Sequence, residues 1–478
     1  MKMRVEKDSL GQCEVPFNAY YGIQTQRALE NYPISGYRAH PELIRATGMI
    51  KKAAAIANNK LKLIDGKRAR AIERAADEVI RGKWDSEFVV DVYQAGAGVS
   101  FHMNANEVIA NRAIEFLGGR RGNYAICHPN DHVNCSQSTN DVFPTAMRLA
   151  AVFLFDDVIA ATARLARSFS RKANSFDRIV KSGRTHLMDA VPIRLGQEFA
   201  AYATSLRRCE TVLRHAVELL EEIGLGGSAV GTGINTHPSY QRIVVRQLSK
   251  IAGRALRPSG DLRYTMQSNL AMSVASSALR NLALELIRIS NDLRLLSSGP
   301  NTGLAEIELP ALQPGSSIMP GKVNPVMGEL TAMVGFQTIG ADIVVATAVQ
   351  AGQLELNVMM PAMAWNVLHA AEILKNTMRV LATKCVDGIS AREDRCRYYA
   401  NVTVSIAAAL NPYIGYAAAA EIAKESVRTG KTVAEIVLER NLLDQQATRK
   451  ILDPMRMTSP AVPLKGGTGK VRERANES

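Results

Sequence analysis

The chain has 478 residues, 47% of them hydrophobic and 5% aromatic, with a formal net charge of +13. The length allows several domains and a large core; no run of eighteen apolar residues argues for a membrane span, and the opening residues lack the apolar stretch of a secretory signal. Six scattered cysteines without a CxxC pair exclude a disulfide framework and fit a reducing cytoplasm, while basic residues spread without an aromatic-basic stripe suit anionic small molecules better than nucleic acid.

Residues 1–140 mix helical stretches with Gly, Asn and Pro, and read as a mainly helical N-terminal domain. Within it, His128 and His132 in "HPNDH" have i, i+4 spacing. Pro129 and the Asn-Asp pair argue against a helix there, and so against a zinc pair. "NCSQSTND" (134–141) places Asn134, Ser136, Gln137, Ser138, Thr139, Asn140 and Asp141 before a long helix. Polar side chains and free N–H groups at a helix start suit a carboxylate. Plain N-capping accounts for one or two of these residues, not seven.

Residues 141–395 are long helical segments with few breakers, and are expected to form a central bundle. The segments 145–173 and 186–222 are apolar on more than one stripe, as in helices buried on several sides. Subunit association or a large monomeric core explains this. "GRTHLMDAVP" (183–192) sets Thr185 and His186 ahead of the second of these segments; a lone histidine is by itself more often structural. "GTGINT" (231–236) is a weak glycine turn. Leu279, Leu282, Leu286, Ile289, Leu293 and Leu296 follow 3-4-3-4-3 spacing and predict one helix stripe. Gly299 and Pro300 end that helix, and a new helical pattern resumes near Val326.

The intervening stretch is too long and too apolar for a plain linker, and reads as a working loop. It contains "GSSIMPGKVNP" (315–325). Gly315 and Gly321 let the backbone turn and expose N–H groups as an anion nest. Lys322 adds a positive charge, and Ser316 and Ser317 add hydroxyls that can move a proton if activated. The G-x5-G-K spacing lacks the Ser/Thr ending and preceding strand of a phosphate loop. Residues 396–478 read as shorter helices with a disordered tail, "KGGTGKVRERANES".

No HExxH, GxSxG or strand-borne GxGxxG occurs, so no metal, flavin or nicotinamide site is expected. Carboxylate-binding donors, one lysine, one histidine and loop serines suit a dianionic substrate and proton removal beside a carboxylate. The resulting aci-carboxylate needs fixed donors and a cation.

"GSSIMPGKVNP" resembles the signature loop of the fumarase/aspartase superfamily. "QSTND", "GRTHL", "DAVP", "LGQE" and "GTG" match its other segments in the same order, over about residues 3–460. "NAYYGIQTQRALENYPISG", "DVYQAGAG", "LLSSGPNTGLAEIELP" and "QAGQLELNVMMP" are more similar to the aspartate ammonia-lyase branch than to the hydratases; "HPNDHVN" and "NDVFPTAM" lean the other way. The resemblance implies a mostly α, three-domain fold whose central bundle is shared in a homotetramer. Each active site would draw segments from three chains, with no cofactor, metal, nucleic acid or membrane.

It further implies conversion of L-aspartate to fumarate and ammonia, reversibly, by anti elimination through an aci-carboxylate. Ser316 would be the base, its alkoxide stabilised by loop N–H groups and Lys322. Lys322 and Asn324 would hold carboxylates, beside Ser317. Thr185 and His186 would bind the carboxylate that becomes the aci form, with Glu329 orienting the histidine. Ser138, Thr139 and Asn140 would contact the carboxylate and amino group.

Departures cluster in "GAGVSFHMNANE" (96–107). Val99 replaces a substrate-contacting threonine, His102 an asparagine, and Met188 a glutamine. A hydrogen bond to a charged group contributes about 1.5–3 kcal/mol, so the missing hydroxyl costs roughly ten- to hundredfold unless a neighbour such as Ser100 compensates. Alternatively the substrate has changed: a hydratase, or a lyase acting on a substituted aspartate or succinate, with His102 supplying a new polar contact.

Overall fold

The computed structural model describes residues 2–462. The expected disordered tail, 465–478, lies outside them. In chain order the elements are a hairpin of β1 (Met3–Asp8) and β2 (Gly11–Pro16), then α1 (Ile23–Asn31), α2 (Pro41–Lys60), α3 (Gly66–Ile80), α4 (Val99–Phe116) and α5 (Thr139–Ser175). A second hairpin, β3 (Val180–Thr185) and β4 (Met188–Arg194), precedes α6 (Leu195–Leu220), α7 (Tyr240–Ala252), α8 (Leu262–Gln267) and α9 (Leu270–Leu296). Then come α10 (Val326–Gln350), α11 (Met360–Lys384) and shorter helices up to residue 458. The mostly helical class expected from the Ala- and Leu-rich sequence is what forms.

The chain divides into two compact units. Among the described residues the first comprises 2–162, 209–284 and 333–377; the second comprises 163–208, 285–332 and 378–462. In the first, α3 packs on α2 and α4, and α7 packs on α2. Small buried residues (Ala46, Ala53, Ala54, Ala57 on α2; Ala75, Ala76 on α3) let these helices approach closely. Local chemistry sets their starts. His40 caps α2, its ring accepting the Glu42 N–H, with Pro41 where a missing N–H costs nothing. Asp65 caps α3 by accepting the Lys67 and Arg68 N–H groups.

Glu78 ties α3 to α4. Its carboxylate accepts from Arg112 at 2.6 and 3.1 Å, Lys83 at 3.0 Å and Trp84 at 2.9 Å. Burial alone would raise this carboxyl, but the three donors together outweigh it and hold it at about 2. A carboxylate held below its unfolded value contributes stability above that value, and the contribution is lost as pH falls through the folded one. From the unfolded value of 4.5 down to about 2, at ~1.4 kcal/mol per pH unit, the contribution is roughly 3 kcal/mol. Urea unfolding of the native chain and Glu78→Gln should therefore differ most at pH 6–7 and converge as pH falls below about 4; a constant difference would refute this.

In the second unit the C-terminal helices close on Ile406, Leu410, Ile422, Ile436 and Val437. Two local expectations fail in instructive ways. The helix expected over 186–222 starts only at Leu195, because residues 188–194 pair with 180–185 as an antiparallel ladder. Val191 and Ile193 alternate around Pro192, which cannot donate inside a helix. In the first unit, Pro129–Val133 form one π-helical turn instead of a loop. The His128 ring accepts the Asn130 and Asp131 N–H groups and starts it, and Pro129 falls in its first turn.

The predicted Leu stripe is buried along α9, with Leu282 and Ile289 fully inaccessible. Among the described residues two helices, α9 and α10, are long and apolar enough to cross a membrane by length and composition. Half of α9's most apolar stretch is covered by its own chain, but only a third of α10's. Met333, Phe336 and Ile343 on α10 are each at least 60% exposed, an apolar face open in the single chain.

Candidate active site

The first unit gathers the "STND" segment at the start of α5. The Ser138 hydroxyl accepts the Asn140 N–H at 3.3 Å, and the Asp141 carboxylate accepts the Ser138 N–H at 2.9 Å, a reciprocal cap. The other Asp141 oxygen accepts the Gly226 and Ser228 N–H groups at 2.9 and 3.0 Å, pinning the loop that leads into "GTGINT". Burial pushes Asp141 up to about 6, against these donors and the Lys51 charge. Asn140 donates to the Ala229 carbonyl at 2.8 Å, and its amide oxygen has no partner among the described residues.

Beneath Thr139 runs a buried polar chain. The Thr139 hydroxyl lies 2.7 Å from His102 Nδ1, and His102 Nε2 lies 2.7 Å from Lys51 Nζ. Lys51 also donates to Asn134 Oδ1 at 3.0 Å and Gln137 Oε1 at 2.9 Å. Lys51 and His102 are 0% and 1% exposed. Both ring nitrogens of His102 are thus committed inside the protein, which leaves neither for the direct ligand contact expected of it. Lys51 was missed in the sequence. Its only signal is position: it follows Thr47 by four and precedes Ala54 by three on a fully buried stripe of α2.

Val99 opens α4 and is exposed. Gly98 before it has φ 83°, and a Cβ there would strike the Phe143 ring. The Ala97 N–H donates to the Val358 carbonyl at 2.7 Å, joining "GAG" to "LNVMMP". Val99 and Ser100 line a cleft of about 570 Å³ with Arg27, His128 and Asn130. Of the predicted site residues only Val99 lines it.

The second unit carries the rest. Thr185 pairs with Met188 across a two-residue turn, and His186 and Leu187 hold φ of 57° and 62°. Such turns usually take Asn-Gly; two ordinary L-residues there are strained. Thr185, His186, Leu187 and Met188 are all exposed. Arg184, one residue before, reaches Glu306 at 2.9 and 3.0 Å, and Lys181 reaches Glu306 at 3.2 Å and Glu198 at 2.8 Å. Ser405 donates to the Asp189 carbonyl at 2.9 Å and braces the other strand.

Loop 315–325 is closed at its neck. The Gly315 N–H donates to the Lys322 carbonyl at 2.8 Å, and Asn324 Nδ2 donates to the Gly315 carbonyl at 2.6 Å. Inside it, Ser316 Oγ accepts the Ile318 N–H at 3.2 Å and the Met319 N–H at 2.9 Å. Ser317 and Lys322 are exposed. Glu329 sits in the first turn of α10, and among the described residues no hydrogen bond joins it to His186. Among the described residues, no group of three or more His, Cys, Asp or Glu side chains gathers as a metal site. Neither unit holds the whole predicted set: one has Val99, Ser138, Thr139 and Asn140, the other Thr185, His186, Ser316, Ser317, Lys322, Asn324 and Glu329.

A family model described as lyase matches residues 11–340, and one described as the fumarase C C-terminus matches 406–459. The chain belongs to the fumarase/aspartase superfamily. Among superfamily members, it is 47% identical to an aspartate ammonia-lyase of a Bacillus species, over 96% of this chain and 98% of that one. It is 45% identical to the aspartate ammonia-lyase of Helicobacter pylori, over 96% and 98%. A crystal structure of Brucella melitensis fumarate lyase:delta crystallin bound to cobalt superposes with a TM-score of 0.93 at 48% identity, covering 96% of this chain and all of that one. A class II fumarase from Schistosoma mansoni superposes at 0.94 with 36% identity, over the same shares.

Proposed function

We propose that the chain is an aspartate ammonia-lyase that converts L-aspartate reversibly to fumarate and ammonia. Full-length similarity to enzymes of that name supports the reading. The observation that carries it is Ser316, whose hydroxyl oxygen already accepts two backbone N–H groups. A serine is a weak base because its alkoxide is unstable, and preorganised donors aimed at the oxygen stabilise that charge where water is excluded. Ser316 then takes a proton from the β-carbon. The electron pair moves onto the adjacent carboxylate as the aci form, and its return expels ammonia across the Cα–N bond. Lys322, free of any ion pair among the described residues, supplies the cation, with Asn324 and Ser317 beside it. Thr185 and His186 hold the aci-carboxylate. Ser138 and Thr139 offer hydroxyls and Asn140 an amide oxygen, a set able to hold a carboxylate and an ammonium side by side.

The reading extends to a homotetramer whose sites draw on three chains, with Glu329 of one chain set against His186 of another. The open apolar face of α10 supports it, since a second copy would cover Met333, Phe336 and Ile343. That partner, not a bilayer, is the occupant proposed for α10. Six cysteines, none of them in a disulfide among the described residues, fit a reducing cytoplasm. The preparation should sediment at four times the chain mass of 52.0 kDa. Fumarate release, followed by ultraviolet absorbance, should be fastest from L-aspartate in a panel with malate and N-substituted aspartates. A better rate from malate would make the chain a hydratase, and a better rate from a substituted aspartate would move the specificity to Val99.

A further inference from the structure

Resting on the ammonia-lyase reading, we infer that Lys51 and His102 are positioning residues that fix the Thr139 hydroxyl as a hydrogen-bond donor to a substrate carboxylate. An ammonium has three N–H donors and no acceptor. Around Lys51 Nζ stand three acceptors, Asn134 Oδ1, Gln137 Oε1 and His102 Nε2, all within 3.0 Å. If the ammonium donates to all three, His102 Nε2 carries no proton. A neutral imidazole then keeps its proton on Nδ1. That nitrogen faces the Thr139 hydroxyl at 2.7 Å and donates to it. The oxygen of Thr139 is thereby occupied as an acceptor, and its own hydrogen is left to point elsewhere. Thr139 is half-buried, with no second partner among the described residues.

The alternative arrangement reverses both bonds of the His102 ring. An uncharged Lys51 amine would accept from His102 Nε2–H, Nδ1 would accept from the Thr139 hydroxyl, and the threonine would turn lone pairs outward, suited to an ammonium. Burial pushes both Lys51 and His102 well below their ordinary values, and the Asp141 carboxylate pulls Lys51 back up. Charge decides the matter: the buried Asp141, both of whose oxygens accept backbone N–H groups, is an anion, and Lys51 is the charge that acts on it, whereas Asn134 and Gln137 accept from either form of Lys51. Both present carbonyl oxygens to Lys51, and the Gln137 amide nitrogen is spent on the Val133 and Cys135 carbonyls at 3.1 and 3.0 Å, so the amide does not flip. His102 is therefore a tautomer-setting link between a buried cation and a binding hydroxyl.

Neutron diffraction from deuterated crystals of the native protein tests the proton positions directly. Deuterium on His102 Nδ1 and three deuterons on Lys51 Nζ are expected; deuterium on Nε2, or on both ring nitrogens, overturns the inference. Calorimetric binding of succinate, which lacks the leaving amine, tests the consequence. His102→Leu and Thr139→Val should each weaken succinate binding by about 10- to 100-fold, the range of a hydrogen bond to a charged group. Because they act in series, the double variant should bind no more weakly than Thr139→Val alone. Additive losses overturn the series. If the native protein binds no dicarboxylate and leaves L-aspartate unchanged, the ammonia-lyase reading falls, while the deuteron positions still report on the Lys51–His102 arrangement.

Discussion

Ser316→Ala should lower kcat for L-aspartate by about 10²- to 10⁴-fold, the range of a positioned general base, with little change in KM or melting temperature. Among the described residues the Ser316 hydroxyl makes two bonds, both to N–H groups of its own loop, and water can replace it there. The neck bonds of Gly315 with Lys322 and Asn324 do not involve it. A fall in kcat without a fall in affinity marks an interaction made only in the transition state. Ser317→Ala is the comparison. That hydroxyl is exposed, and its loss should cost at most a few-fold. Steady-state fumarate release for both variants, beside thermal melts, decides the point. If Ser316→Ala keeps more than about a tenth of native kcat, the base lies elsewhere.

Glu306→Gln should destabilise the chain by about 3–5 kcal/mol, the cost of removing one partner from a buried ionic cluster. Glu306 is wholly inaccessible and holds both Arg184 and Lys181. The amide keeps one acceptor, but it turns N–H donors toward two cations and removes the charge that compensates them. Glu198, the remaining anion, contacts Lys181 but not Arg184. Activity should fall as well, because Arg184 adjoins Thr185 and anchors the strand that carries it. By contrast Glu42→Gln, which breaks a partly exposed i, i+3 pair with Arg45, should cost under about 1 kcal/mol. Denaturant unfolding of the two variants separates these cases, and similar midpoints would show that the cluster is not a structural anchor.

The parts of the fold that were legible in the sequence are those coded over short distances. The Leu279–Leu296 stripe repeats every three or four residues, and α9 buries it. The breakers at Gly299 and Pro300 and the restart at Val326 bracket the loop as expected. The loop's hydrogen bonds around Ser316 are equally local, because Gly315, Ser316 and the following N–H groups lie within five residues. The β3–β4 hairpin was lost because Leu195–Leu220 continues its apolar texture, and only Pro192 argued against one long helix. Lys51 and Glu306 were lost for another reason. Their partners lie 51 and 122 residues away, and no local pattern states that a charge will be buried. His102 shows the limit most plainly: its identity marked a difference at the site, but only its surroundings show that it faces Lys51 and Thr139 and not open space.

At the hairpin tip, His186 and Leu187 occupy a left-handed backbone that costs an L-residue about 1–2 kcal/mol. The ladder on either side leaves them no room to relax, so the tip behaves as a loaded spring clamped at its base. Glycine at 187 would unload it and make the hairpin sturdier to heat, while freeing the imidazole next door to wander. Sharp aim at 186 and thermal robustness at 187 therefore pull against each other, and the leucine found there is the choice that favours aim.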